Sequence, residues 1–192
     1  MNFLFHLYLS GDDPDILTGN LMGDFVKGRI GDGYPDRIRT GIALHRGIDS
    51  FAQQHPLFNL SRKRIDPDYR LWRGVLVDVF YDHFLATEWD RWSREPLDSY
   101  LQRIREVVEA RHNWLPESMK PLVPVIFDEL LPSYLEITGI GRALERMSRR
   151  VRRPNPLAGA ETELVRLYSG LRQDFSLFMP EASQFVADFI IK

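Results

Sequence analysis

The chain has 192 residues, enough for one domain with a real core. A hydrophobic fraction of 44%, a charged fraction of 27% and a net charge of −2 describe an ordinary globular composition, with no global electrostatic case for nucleic acid or a membrane surface. Cysteine is absent, which excludes disulfides, thiolate zinc sites and thiol nucleophiles and is compatible with a cytoplasmic protein.

The opening, Met1-Asn2-Phe3-Leu4-Phe5-His6, has no basic n-region and reads as mature protein; no apolar run approaches a membrane span. Residues 2–10 predict a short apolar helix with His6 at its middle. Gly11-Asp12-Asp13-Pro14-Asp15 is a turn with capping residues. Residues 16–27 predict a second helix, in which Gly19 and Gly23 lower propensity but let another backbone or side chain approach closely. Asp24 follows Gly23 directly. A loop rich in glycine leads to Pro35, which opens a third helix over 35–54 carrying His45 and Asp49 one turn apart. His55-Pro56 ends it, and residues 57–68 read as a connection with a basic patch, Arg62-Lys63-Arg64.

A long fourth helix is expected over 69–92. Its apolar sequence Val77-Asp78-Val79-Phe80-Tyr81-Asp82-His83-Phe84-Leu85 is broken by two carboxylates four residues apart, and these share a helix face. Two like charges on one face repel unless a cation lies between them, either an arginine or a metal ion. Residues 96–114 predict a fifth helix. Prolines at 121, 124 and 132 interrupt the next stretch, and residues 139–151 form a short basic helix with Arg142, Arg146, Arg149 and Arg150. After Pro154-Asn155-Pro156 a last helix runs from residue 159 to the end, with a kink expected at Pro180. No segment alternates apolar and polar residues with period two. The reading is an all-α, single-domain bundle of about seven or eight helices over 1–192.

Four segments of the first half each offer an imidazole or carboxylate in an apolar setting: His6; Asp24; His45 with Asp49; and Asp78, Asp82 and His83. Such a set, without sulfur, suits Mn²⁺, Mg²⁺, Fe²⁺ or Zn²⁺, and helical bundles point such groups inward from facing helices. Each has a plainer alternative. His6 alone fits a hydrogen-bonded core histidine, and His45 with Asp49 a surface pair. Asp78 and Asp82 fit salt bridges to Arg70 or Arg73, and Asp24 fits a cap at Gly28. His83 is rotated about 100° from Asp82 on the helix and fits a bond to a backbone carbonyl. His55 and His112 read as surface residues.

The ordered motifs Asn2-Phe3-Leu4 with His6, Gly19-Asn20-Leu21 with Asp24-Phe25-Val26, Gly41-Ile42 with His45-Arg46 and Ile48-Asp49, and Asp78-Val79 with Asp82-His83-Phe84-Leu85 and Trp89 resemble the acyl carrier protein phosphodiesterases, a branch of the HD-type metal-dependent phosphohydrolases. The adjacent His-Asp dyad of HD proteins does not occur in that order; Asp82-His83 reverses it. The resemblance implies an HD-domain-like bundle and a cytoplasmic hydrolase that removes 4′-phosphopantetheine from acyl carrier protein with Mn²⁺ or a similar ion. The residues themselves fit that chemistry: the candidate metal ligands or their supports are His6, Asp24, His45, Asp49, Asp78 and Asp82, with Asp24 and Asp82 the candidate catalytic groups. Arg46 and Lys27 are then candidates for holding phosphate. Arg62, Lys63, Arg64, Arg142, Arg146, Arg149 and Arg150 become candidates for docking an acidic carrier protein. Two other readings stay open: an HD-type enzyme acting on a nucleotide or another small phosphoester, and a non-catalytic helical module whose His and Asp residues form a buried network.

Overall fold

A computed structural model describes residues 1–191, and among them every regular element is helical. The first helix, α1 (Phe3–Leu9), is too short to persist alone. Its N-terminal amides, which have no partner within the helix, are satisfied from far along the chain. The Leu4 and Phe5 N–H groups donate to the two carboxylate oxygens of Asp82, each at 2.9 Å. Asp13 then caps α2 (Pro14–Leu21) by accepting from the Asp15 and Ile16 N–H groups. Helix α2 ends earlier than the expected residue 27. The chain turns through a single 3-10 turn, Gly23–Phe25, because Gly23 must pass directly over His45.

Helix α3 (Asp36–Gln54) comes next, close to the predicted span. It packs on α2 through glycines in both helices. A Cβ on Gly19 would lie 2.2 Å from the Ile38 carbonyl oxygen, and one on Gly41 would lie 2.2 Å from that of Ile16. The stretch read as a connection is helical instead: α4 (Pro56–Arg64) starts on Pro56, and the His55 ring accepts the Leu57 N–H at 3.3 Å. His55 is therefore not a surface residue. It is buried against Phe51 and Phe178, with Nε2 3.0 Å from Glu181.

The expected fourth helix is divided. After the 3-10 turn Pro67–Tyr69 come α5 (Trp72–Thr87) and α6 (Trp89–Trp92), broken at Glu88, whose carboxylate binds Arg91 and Arg172. Helix α7 (Leu97–Glu109) ends before the predicted 114. A π-helical turn (Val125–Leu130), the single turn α8 (Leu131–Ser133) and the basic α9 (Ile137–Arg150) cover the middle of the chain. The longest helix, α10 (Glu161–Ile191), continues through Pro180 and packs on α3, α4 and α5. Leu4, Phe5 and Leu7 of α1, Phe80 and Phe84 of α5, and Phe175 and Phe178 of α10 are buried in the common core. Sandwiching apolar α1 between α5, α2 and α10 brings His6 to the face of α3 that carries His45 and Asp49.

Candidate metal centre

His45 and Asp49 sit one turn apart on α3, as their spacing requires. The His45 ring lies on the bare backbone of Gly23, where an added Cβ would come within 2.2 Å of its Cγ. Nδ1 of His45 is 2.8 Å from the Asn20 carbonyl oxygen. A carbonyl only accepts, so Nδ1 carries the proton, and the lone pair of Nε2 is directed inward. This second-partner arrangement is the one that orients metal-ligating histidines.

Around Nε2 of His45 stand Asp49 Oδ2 at 3.4 Å and Asp24 Oδ1 at 3.5 Å. The His6 ring stacks on His45 with centroids 3.9 Å apart and 13° between planes, and its Nε2 is 3.3 Å from Asp49 Oδ1. Neither ring nitrogen of His6 nor Nε2 of His45 makes a hydrogen bond, although all three are buried. Buried polar atoms without partners are costly and rare. With its Nδ1 protonated, His45 turns an acceptor lone pair at Nε2 toward the carboxylate acceptors of Asp24 and Asp49, an arrangement that a cation would satisfy. One atom from each of His6, His45 and Asp49 lies within 4.8 Å of the others. Two imidazoles and a carboxylate without thiolate suit a divalent first-row ion.

The electrostatics agree with that reading. Burial drives the His6 imidazole down to about 4, so it is neutral and able to ligate near neutral pH. Burial pushes the Asp49 carboxyl up, but His6 and the Met1 ammonium outweigh it and hold it well below the usual range. The amino group of Met1 lies 2.5 Å from Asp49 and 3.4 Å from Asp78. Asp24, on the rim with its side chain 62% exposed, is held low chiefly by His45. Burial raises the Asp78 carboxyl to about 6, against the pull of the Met1 ammonium.

Of the residues expected in the site, the structure thus brings together His6, His45 and Asp49, with Asp24 at the rim and Asp78 one step away through Met1. Asp82 is not brought there. Both its oxygens are spent on the amides of α1, and burial pushes its carboxyl up to about 7 even against those hydrogen bonds. His83 makes the alternative contact foreseen for it, Nδ1 to the Tyr134 carbonyl at 2.8 Å. Arg46 donates through Nη2 to the Val26 carbonyl at 2.8 Å, tying α3 to the segment after Asp24, while Lys27 is exposed. Asn20, whose backbone fixes the His45 tautomer, carries no signal of that role in its own side chain, which instead binds the His6 carbonyl and Ser10.

The basic residues separate. Arg64 is committed to Asp174 through Nε at 2.7 Å and Nη2 at 3.1 Å. Arg146 pairs with Glu129, and Arg149 with Glu145 at 2.7 Å. Lys63, Arg142 and Arg150 are exposed, with no carboxylate within 4 Å among the described residues. Beside the His/Asp cluster a cavity of about 370 Å³ opens between α3, α4 and α5; Asp49 and Asp78 form part of its wall.

The family model described as acyl carrier protein phosphodiesterase matches residues 1–182. Among curated proteins, the chain is similar to the acyl carrier protein phosphodiesterase of Yersinia pestis, 32% identical over 182 residues and 94% of each chain. It is also similar to that of Pectobacterium atrosepticum, 32% identical over 188 residues and 96% of each. A third relative, from Klebsiella pneumoniae, is 32% identical over 183 residues, covering 94% of this chain and 95% of its own. No solved structure matches the chain, and the HD-domain likeness rests on sequence motifs alone.

Proposed function

The chain belongs to the acyl carrier protein phosphodiesterase family, and from that premise we propose that it hydrolyses the phosphodiester joining 4′-phosphopantetheine to a serine of acyl carrier protein. The products are the apo-carrier protein and 4′-phosphopantetheine. The observation that carries a metal-assisted route is the trio of buried His6 and His45 with half-buried Asp49, in which unpartnered imidazole nitrogens converge on a carboxylate. These three residues are the proposed ligands, with Mn²⁺ foremost and Mg²⁺, Fe²⁺ or Zn²⁺ as alternatives. A divalent ion there supplies an acidified water and neutralises phosphate charge.

The remaining roles fall to the chain's own groups. Asn20 and Gly23 fix the His45 ring and its tautomer. Asp24, ionised at the solvent-facing rim, accepts the proton of the attacking water. The new bond forms from that water's oxygen to phosphorus. The bond from phosphorus to the serine oxygen breaks, and the serine oxygen takes a proton from solvent. Arg46, held by the Val26 carbonyl next to Asp24, offers its remaining donors to the phosphate, with Lys27 beyond it. Asp78 supports the site from its edge, and Asp82 acts on it indirectly by holding α1 and so His6 in place.

Of the candidate docking residues, Lys63, Arg142 and Arg150 are the exposed cations left to meet an acidic partner, which favours fast, salt-sensitive encounter. We assign the activity to one domain working in the cytoplasm; no described helix is long and apolar enough to cross a membrane. The test is mass spectrometry of holo-carrier protein incubated with the protein and Mn²⁺. Loss of the phosphopantetheine mass, abolished by chelator, is the expected result. Turnover of nucleotides with the holo-carrier protein left intact contradicts it.

A further inference from the structure

The three basic residues at the end of α4 have three different fates. Arg64 is locked to the buried Asp174, and Lys63 faces solvent. Arg62 turns toward α5. Its Nη1 donates to the Asn59 side chain at 3.1 Å, and a Cβ built on Gly74 would meet only its Nε, at 3.8 Å. Arg62 is half-buried and has no carboxylate within 4 Å among the described residues. It lines the cavity of about 370 Å³ whose wall also contains Asp49 and Asp78. That volume lies within the roughly 300–1,000 Å³ range of small-molecule sites.

The rest of the wall mixes polar and apolar groups, which suits a slender chain carrying amides. Ala52, Phe58 and Val75 supply apolar surface, and Gln53 a side-chain amide. Leu71, 79% exposed, stands at the edge. Gly74 keeps the passage beside Arg62 open. The Met1 ammonium in the same wall is already paired with Asp49 and Asp78, so Arg62 is the cation of the wall left to meet an entering anion.

Resting on the activity proposed above, we infer that this cavity seats the 4′-phosphopantetheine arm, with Arg62 binding its phosphate and the groove past Gly74 holding the pantetheine chain. Arg62 is thus a substrate-binding residue and not part of the carrier-protein docking surface. Gly74 is the position whose missing side chain admits the arm.

The assignment is tested by calorimetric titration of 4′-phosphopantetheine and of pantetheine into the full-length protein, alongside hydrolysis of holo-carrier protein and of bis(p-nitrophenyl) phosphate. Arg62→Ala should weaken 4′-phosphopantetheine about ten- to a hundredfold and leave pantetheine nearly unchanged. Gly74→Leu, a change that favours a helix, should weaken both ligands and raise the KM for holo-carrier protein while sparing the armless diester. Failure of the wild-type protein to release phosphopantetheine, with 4′-phosphopantetheine still bound through Arg62, overturns the activity but not the cavity. Release by the wild type that neither variant alters, or equal losses on both diesters in Gly74→Leu, overturns the cavity assignment. So does a wild-type protein that binds neither ligand.

Discussion

Two polar clusters in the interior of this molecule differ in completeness. In the first, Asp174 of α10 accepts from Arg64 through two nitrogens and from Ser61 Oγ at 2.8 Å, and the Tyr81 hydroxyl lies 3.0 Å from Ser61 Oγ. Every charge there has its counter-charge, and each oxygen of the carboxylate is used. In the second, Asp49 has the Met1 ammonium, but three buried ring nitrogens of His6 and His45 around it have no partner. A saturated network holds a fold together. An unsaturated one, kept in place by Asn20, Gly23 and the packing of α1, is ready for a ligand. The contrast also sorts Asp82. Though it shares a helix with the half-buried Asp78, both its oxygens are saturated by α1, which places it with the structural group.

The predictions test this division, beginning with the largest effect. Asp49→Ala should abolish release of phosphopantetheine while helical circular dichroism stays intact; retained turnover would remove Asp49 from the site. Arg64→Ala should do the reverse. It leaves Asp174 buried without its counter-charge, lowers stability by about 3 kcal/mol in denaturant titration, and leaves metal affinity unchanged. Gly23→Ala drives a methyl into the His45 ring, so Mn²⁺ affinity should fall about ten- to a hundredfold, the range seen when a ligand loses its supporting shell. Asp82→Asn presents an amide N–H₂ to one of the two α1 amides, at a cost of about 1–2 kcal/mol in thermal or chemical unfolding, without a selective loss of metal binding.

A further effect is in pH. His6 titrates at about 4 in the folded chain and near 6.5 when unfolded. Between those values the unfolded state binds more protons at this residue, so its neutral burial costs stability as pH falls from 6.5 to 4. In chelator-treated protein, His6→Gln should therefore gain stability relative to wild type as pH falls through that window. A difference independent of pH would show that His6 is not held neutral.

Much of this architecture was legible because helices announce themselves locally. The capping Asp13-Pro14, the Pro35 start and the lack of period-two alternation placed α2 and α3 and the all-α class. Helix α4 was missed because its polar run Asn59 to Arg64 suggests a connection, although His55-Pro56 also forms a good helix start. At the break between α5 and α6, Glu88 binds Arg172, far along the chain, a contact with no local sign in the sequence. In the site, the His45/Asp49 pair came from spacing alone. His6 joined it only through packing of α1, and Asp82 left it only because α1 needed a cap 78 residues away in sequence. Spacing tells which side chains share a helix face; it does not tell what stands opposite that face.

The central claim is that the unsaturated cluster binds a divalent ion. It is tested most directly by calorimetric titration of Mn²⁺ into chelator-stripped wild-type protein and His45→Ala. Saturable binding by the wild type, lost in the variant, is the predicted result. No binding by the wild type, or equal binding by both proteins, would contradict it.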